Sequence, residues 1–174
     1  MDLISRVKGI LLNPKQQWQT ISGETTTIAE LYKNYIVILA AIGPVASIIG
    51  MSIIGVSMPF AGSFRIPISS SLTSAIIQYV LTLAGVYVLA LVIDAMAPTF
   101  SGEKNINQAF KVAVYSYTPG WLVGIFMVIP ALGMLGILGL YGLYILYLGL
   151  PLLMKSPQEK SMGYTATVII VGIV

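Results

Sequence analysis

The residues able to do chemistry in this chain are few, and they cluster. No residue between Lys111 and Lys155 is charged, yet the stretch AVYSYTPGW, Ala113 to Trp121, sets Tyr115, Ser116, Tyr117 and Thr118 ahead of Pro119. A serine there could serve as a nucleophile only with a base beside it. The chain has no His and no Cys, and Lys111 lies more than one helical turn back. The six acids, Asp2, Glu24, Glu30, Asp94, Glu103 and Glu159, are dispersed, so no carboxylate pair offers acid–base chemistry. Without Cys or His there is also no zinc cluster, haem ligand or redox pair. The expectation is no enzyme, no cofactor and no metal. What remains to these hydroxyls is hydrogen bonding, either to one another and the backbone or to a ligand.

The composition explains the setting. Of 174 residues, 57% are hydrophobic and only 9% charged, against about 25% charged in soluble domains. The chain is a membrane protein by composition. Its sequence pI of about 9.1 does not point to nucleic acid, because the nine basic residues form no patch.

Apolar stretches of about 18 residues or more can cross a bilayer core. Uncharged intervals at 34–64, 66–93, 112–154 and 161–174 predict spans near 35–58, 72–96, 112–129, 132–154 and 162–174. The third interval holds two spans because Pro130 removes a backbone donor and disfavours helix at Ile129. The last interval is short, which predicts a fifth span cut off at the C-terminus. The expected fold is all-α: a polytopic bundle of five transmembrane helices over 34–174, preceded by amphipathic helices over 1–33. Arg6, Lys8, Lys15, Lys33, Lys104, Lys111, Lys155 and Lys160 fall on one side of this arrangement and Arg65 alone on the other. The positive-inside rule therefore puts the N-terminus in the cytoplasm and the C-terminus outside.

In the first 33 residues, Leu3, Ile4, Val7, Ile10 and Leu11 recur at helical spacing opposite Asp2, Arg6 and Lys8. That pattern predicts a helix in the headgroup plane. Asn13-Pro14 ends it and caps a second helix, with Trp18 as interfacial anchor. Thr27 and Glu30 have capping-box spacing and launch the first span.

Folding spans three and four about Pro130 to Gly133 predicts Tyr117 level with Tyr147, and Gly120 level with Tyr144. Asp94 ends span two at a nearby depth. Asp94, Tyr115, Ser116, Tyr117, Thr118, Tyr144 and Tyr147 then form one candidate polar layer in the inner leaflet. Tyr115 and Tyr117 lie about 200° apart on a helix, so one cavity cannot take both. Gly136, Gly139 and Gly142 follow Gly133 at steps of three and predict a smooth strip for close helix packing. Two readings of the polar layer stay open: internal packing, or a site.

Several elements together resemble the Yip1-domain family, in its prokaryotic inner-membrane branch. They are Asn-Pro-Lys-Gln-Gln-Trp at 13–18, Ala-Pro-Thr-Phe-Ser-Gly at 97–102, Ala-Val-Tyr-Ser-Tyr-Thr-Pro at 113–119, Leu-Tyr-Gly-Leu-Tyr-Ile-Leu-Tyr-Leu-Gly-Leu-Pro at 140–151 and Lys-Ser-Pro-Gln-Glu-Lys-Ser-Met-Gly-Tyr at 155–164. The resemblance implies five membrane helices, a cytoplasmic N-terminus and a prokaryotic cytoplasmic membrane, and it supplies no catalytic residues. Eukaryotic relatives associate with Rab-type GTPases and with one another in ER–Golgi traffic, a role that does not transfer to a bacterial chain. The expected function is a non-enzymatic membrane protein that scaffolds or associates with other membrane proteins or with itself in the lipid bilayer. The alternative is a small transporter or lipid-handling protein using the polar layer.

Overall fold

Helix is the answer of nearly every apolar run, since only helices and closed barrels satisfy the backbone inside lipid. The computed structural model describes residues 2–58 and 62–173. Helices α1 (Leu3–Leu12) and α2 (Pro14–Ser22) open the chain. They are followed by α3 (Ile28–Ile54), a helix interrupted by π-turns at Tyr32–Ile36 and Ile49–Ile54 and by a break at Ala41. Pro44 accounts for that break: its ring and missing N–H displace the carbonyl one turn earlier. An antiparallel ribbon, β1 (Val56–Met58) with β2 (Gly62–Phe64), then returns the chain to α4 (Ile68–Met96) and its 3₁₀ extension Ala97–Phe100. The ribbon corrects the sequence reading, which carried helix through Met58. Gly55 at φ 94° ends α3 there, a backbone setting that L-residues avoid and achiral glycine adopts freely.

Helix α5 (Ile106–Val123) continues as a 3₁₀ turn, Gly124–Val128. The chain reverses at Ile129, which is extended (φ −115°, ψ 102°) as a residue before proline must be. Helix α6 (Pro130–Leu153) begins as an 11-residue 3₁₀ stretch to Leu140 and becomes α-helical at Tyr141. Helix α7 (Ser161–Ile173) closes the described chain. Among the described residues three helices, α3, α4 with its extension, and α6, are long and apolar enough to cross a membrane. The other two expected spans fall short by that measure. Helix α5 begins with polar residues and carries Lys111, and α7 has 13 residues.

Helix α5 is the hub. Ala109 through Ser116 are buried without interruption, as expected for a helix surrounded on all sides. Glycines bring its neighbours close. A Cβ on Gly124 would sit 2.8 Å from the Gly43 Cα of α3, and one on Gly142 would sit 2.3 Å from the Ser116 carbonyl oxygen. Hydroxyls pin the rest: Tyr32 donates to the Leu83 carbonyl (2.8 Å), Tyr79 to that of Val37 (3.0 Å), and Ser52 to Ser71 Oγ (2.7 Å). Phe100 stacks on Tyr164 at 4.8 Å, fixing α7 against the end of α4.

Candidate functional site

The polar layer begins from α5. Successive residues point 100° apart, so Tyr115 and Thr118 share one face while Tyr117 looks elsewhere. Thr118 Oγ1 meets the Tyr35 hydroxyl at 2.9 Å, both groups buried. Tyr35 stands edge-on to Tyr115 (5.1 Å between centroids), and Trp18 stands edge-on to Tyr115 from the opposite element (5.9 Å). Edge-to-face pairs of this kind are the favoured aromatic geometry.

Beneath these rings lies a charged cluster that the sequence reading missed. Arg6 of α1 is 1% exposed, forms an ion pair with Glu24 and rests 5.4 Å above the Tyr115 ring. Lys111, 2% exposed, donates to the Ile21 carbonyl (3.3 Å) and to the Glu24 carbonyl. The Ile21 carbonyl lies in the last turn of α2 and that of Glu24 just beyond its C-cap Gly23, where the helix dipole is negative and a cation is favoured. One signal could have exposed Lys111: it interrupts Phe110 and Val112 at the start of an uncharged run. Arg6 gave none, because its helical spacing reads equally well as a solvated face.

Two expectations change accordingly. Helix α1 buries Arg6 and Ile10 and leaves Ile4 exposed, so its inward face is rotated from the one the apolar spacing suggested. The reason is that Arg6 finds Glu24 and an aromatic ring inside. Trp18 is no interfacial anchor; it is 1% exposed and donates from Nε1 to the Ile145 carbonyl of α6 (3.0 Å). Gly149 makes the room, since a Cβ there would lie 2.6 Å from the indole. Helices α1 and α2 therefore dock on the bundle end as a cap.

The remaining layer residues go elsewhere. Tyr117 stacks on Trp121 (5.8 Å) and is partly exposed beside a 590 Å³ cleft between α3, α4 and α5. Ser116 is buried, and its Oγ has no partner among the described residues. Asp94 lies beside Tyr164, whose hydroxyl donates to the Ile93 carbonyl. Tyr144 is exposed next to Tyr141 (5.6 Å), and Tyr147 accepts from the Gln158 amide (3.4 Å). The layer is thus divided between the Arg6 cluster, the α3–α4–α5 cleft, the α7 contact and the outer flank of α6.

The pairing of spans also shifts. Gly142, not Tyr147, lies opposite Ser116, and Gly139 faces Gly120, whose Cα would lie 3.3 Å from a Cβ added at Gly139, in place of Tyr144. The cause is the position of the reversal: the chain turns at Ile129 and not across Pro130–Gly133, and Ser116 and Gly142 each stand 13 residues from Ile129. Of the glycine strip, Gly139 and Gly142 make close backbone contacts, whereas Gly136 meets nothing and borders the cleft.

A membrane-embedded helical bundle with a helical cap defines the class: a polytopic integral membrane protein. The Yip1 domain model matches residues 8–174, and the chain belongs to the Yip1 domain family. It is similar to the Inner membrane protein YohC of Escherichia coli strain K12, at 26% identity over 98% of this chain and 89% of the relative. The same protein from Escherichia coli O6:H1 strain CFT073 matches to the same extent. No solved structure matches.

Proposed function

We propose that this protein is a non-enzymatic scaffold of the bacterial inner membrane that associates with other transmembrane helices through the exposed face of α4. In this reading it crosses the bilayer five times with the Lys/Arg-rich end and the α1–α2 cap in the cytoplasm. The observation that carries the proposal is Gln78. It is exposed about 15 Å along α4 from Ile68, near the middle of a 30 Å core. Ser70, Ser74 and Thr82 share its stripe at steps of four and border the same cleft. Among the described residues nothing bonds the Gln78 side chain. An exposed amide in hydrocarbon is costly unless a partner helix supplies a donor and an acceptor. Serine, threonine and glutamine are the side chains that join membrane helices this way.

The transport reading draws less support. Thr118 and Tyr35 spend their hydroxyls on each other, and Asp94 stands by Tyr164 instead of facing Tyr117. Catalysis has no support either, since the Lys111 ammonium is held by two carbonyls away from Ser116.

A photo-crosslinking residue at Gln78 should capture another membrane protein or a second copy, and Gln78→Leu should weaken that association about 3- to 20-fold, the range for one interhelical hydrogen bond. Recovery of monomer alone from cross-linked membranes refutes the scaffold. The topology is tested separately: Arg65→Cys should react with an impermeant thiol reagent on intact cells, and Lys104→Cys only after permeabilisation.

A further inference from the structure

The outer flank of α6 carries a second, unrelated feature. Between α2 and the end of α6 lies a cleft of about 670 Å³, open on one side and bounded by the docked Trp18 ring. Its rim gathers Lys15, Gln19, Ser156 and Gln158, and its wall continues down α6 through Tyr147 and Leu152. No carboxylate lines it, and among the described residues Lys15 has no ion-pair partner. Ser156 is 94% buried (6% exposed), yet its Oγ has no hydrogen-bond partner among the described residues. The local chain geometry holds it there. Lys155 adopts a left-handed conformation (φ 52°) and pairs outward with Glu103 (2.7 Å), which turns Ser156 back toward the bundle.

A cation, a buried hydroxyl donor and two amides at one rim call for an anion with several acceptor oxygens. The apolar wall beside them calls for a hydrocarbon chain. We propose that this cleft binds the phosphodiester headgroup of an anionic phospholipid, with Lys15 neutralising the phosphate, Ser156 and the Gln158 amide donating to its oxygens, and one acyl chain lying along Leu148 and Leu152. The cleft stands at the basic end of the bundle, where the charged residues and the apolar α6 surface meet, so headgroup and chain reach it together. Phosphate is the shared chemistry; inorganic phosphate could supply the headgroup contacts but not those of the chain.

Trp18 forms the edge of the cleft and reports on it. The full chain is reconstituted in phosphatidylcholine vesicles containing phosphatidylglycerol, with bromine on the acyl chains of one lipid at a time. Brominated phosphatidylglycerol should quench the Trp18 fluorescence at about fivefold lower mole fraction than brominated phosphatidylcholine, the factor one lysine contributes near an anionic lipid. Both wild type and Trp121→Phe are read, so that a folding defect in the single-tryptophan protein does not decide the result. Lys15→Gln and Ser156→Ala should each reduce the preference, while Lys8→Gln, an exposed lysine away from the cleft, should leave it intact. Equal quenching by the two lipids, or a preference lost equally in Lys8→Gln, overturns the site. Millimolar inorganic phosphate should not abolish the preference; if it does, the cleft takes free phosphate and the lipid assignment falls.

Discussion

Alanine substitutions at Gly136, Gly139 and Gly142 separate packing glycines from incidental ones on a single helix. At Gly142 the added carbon would lie 2.3 Å from the Ser116 carbonyl oxygen. Ordinary contact needs about 3.4 Å, so α5 and α6 must part by roughly 1 Å, and backbone cannot step aside as a side chain can. Overpacking of this kind costs about 1–3 kcal/mol, and the upper half of that range is expected here. That corresponds to a shift of about thirtyfold or more in the unfolding equilibrium. At Gly139 the nearest atom is 3.3 Å away, the Gly120 Cα. A displacement of a few tenths of an ångström accommodates it, at under about 1 kcal/mol. Gly136 has open space around it, and alanine there should be neutral or mildly stabilising, by up to about 1 kcal/mol from reduced backbone entropy. Denaturation by increasing sodium dodecyl sulfate in mixed micelles, followed by far-UV circular dichroism, reads all three. The expected order of midpoints is Gly136→Ala at or above wild type, then Gly139→Ala, then Gly142→Ala. Equal losses at the three positions, or the greatest loss at Gly136, would refute the inference that backbone approach sets the cost.

Glu24→Gln withdraws the carboxylate that pairs with buried Arg6 and should destabilise the cap by about 3 kcal/mol. Limited proteolysis of detergent-solubilised protein should then cut within residues 1–27 well before the bundle; unchanged protection would show the ion pair to be dispensable. Trp18→Phe keeps the aromatic edge on Tyr115 but leaves the Ile145 carbonyl without its indole donor, for a loss of about 1–2 kcal/mol, read as a lowered thermal midpoint. Asp2 caps α1 by accepting from the Ser5 amide (2.9 Å), and that bond holds its carboxyl below the ordinary range. A depressed carboxylate stabilises above the unfolded value and loses its contribution as pH falls through the folded one. The protection of the Ser5 amide, its exchange rate taken relative to that of an unstructured amide at the same pH, should fall on acidification below the ordinary carboxylate range, and Asp2→Asn, which caps without titrating, should keep that protection constant.

The parts legible in the sequence are those governed by local rules. The Thr27–Glu30 box forms with both of its reciprocal bonds, Pro14 takes the first helical position of α2, and Pro130 reverses the chain where its missing donor demanded. Each needs only near neighbours. Depth pairing is less legible: Pro130 marks a reversal, but nothing local says that it closes at Ile129 and not across Pro130–Gly133, and each residue by which the turn shifts moves the partner by two. The Arg6 cluster was hidden for the opposite reason. Its logic is tertiary: Glu24, Tyr115 and the α2 carbonyls converge on two cations from separate elements. Trp18 shows how little the residue type decides alone, since its burial depends on a glycine 131 positions away (149 − 18).

The mixed winding of α6 also fixes how the bundle can sit in lipid. Eleven residues at about 2.0 Å and 13 at about 1.5 Å give a rod of roughly 41 Å, while the 29 residues of α4 give roughly 43 Å. A hydrocarbon slab near 30 Å thick is too thin for either rod held upright. Both must lean, by about 45° if slant alone absorbs the excess, or else push their ends into the headgroups.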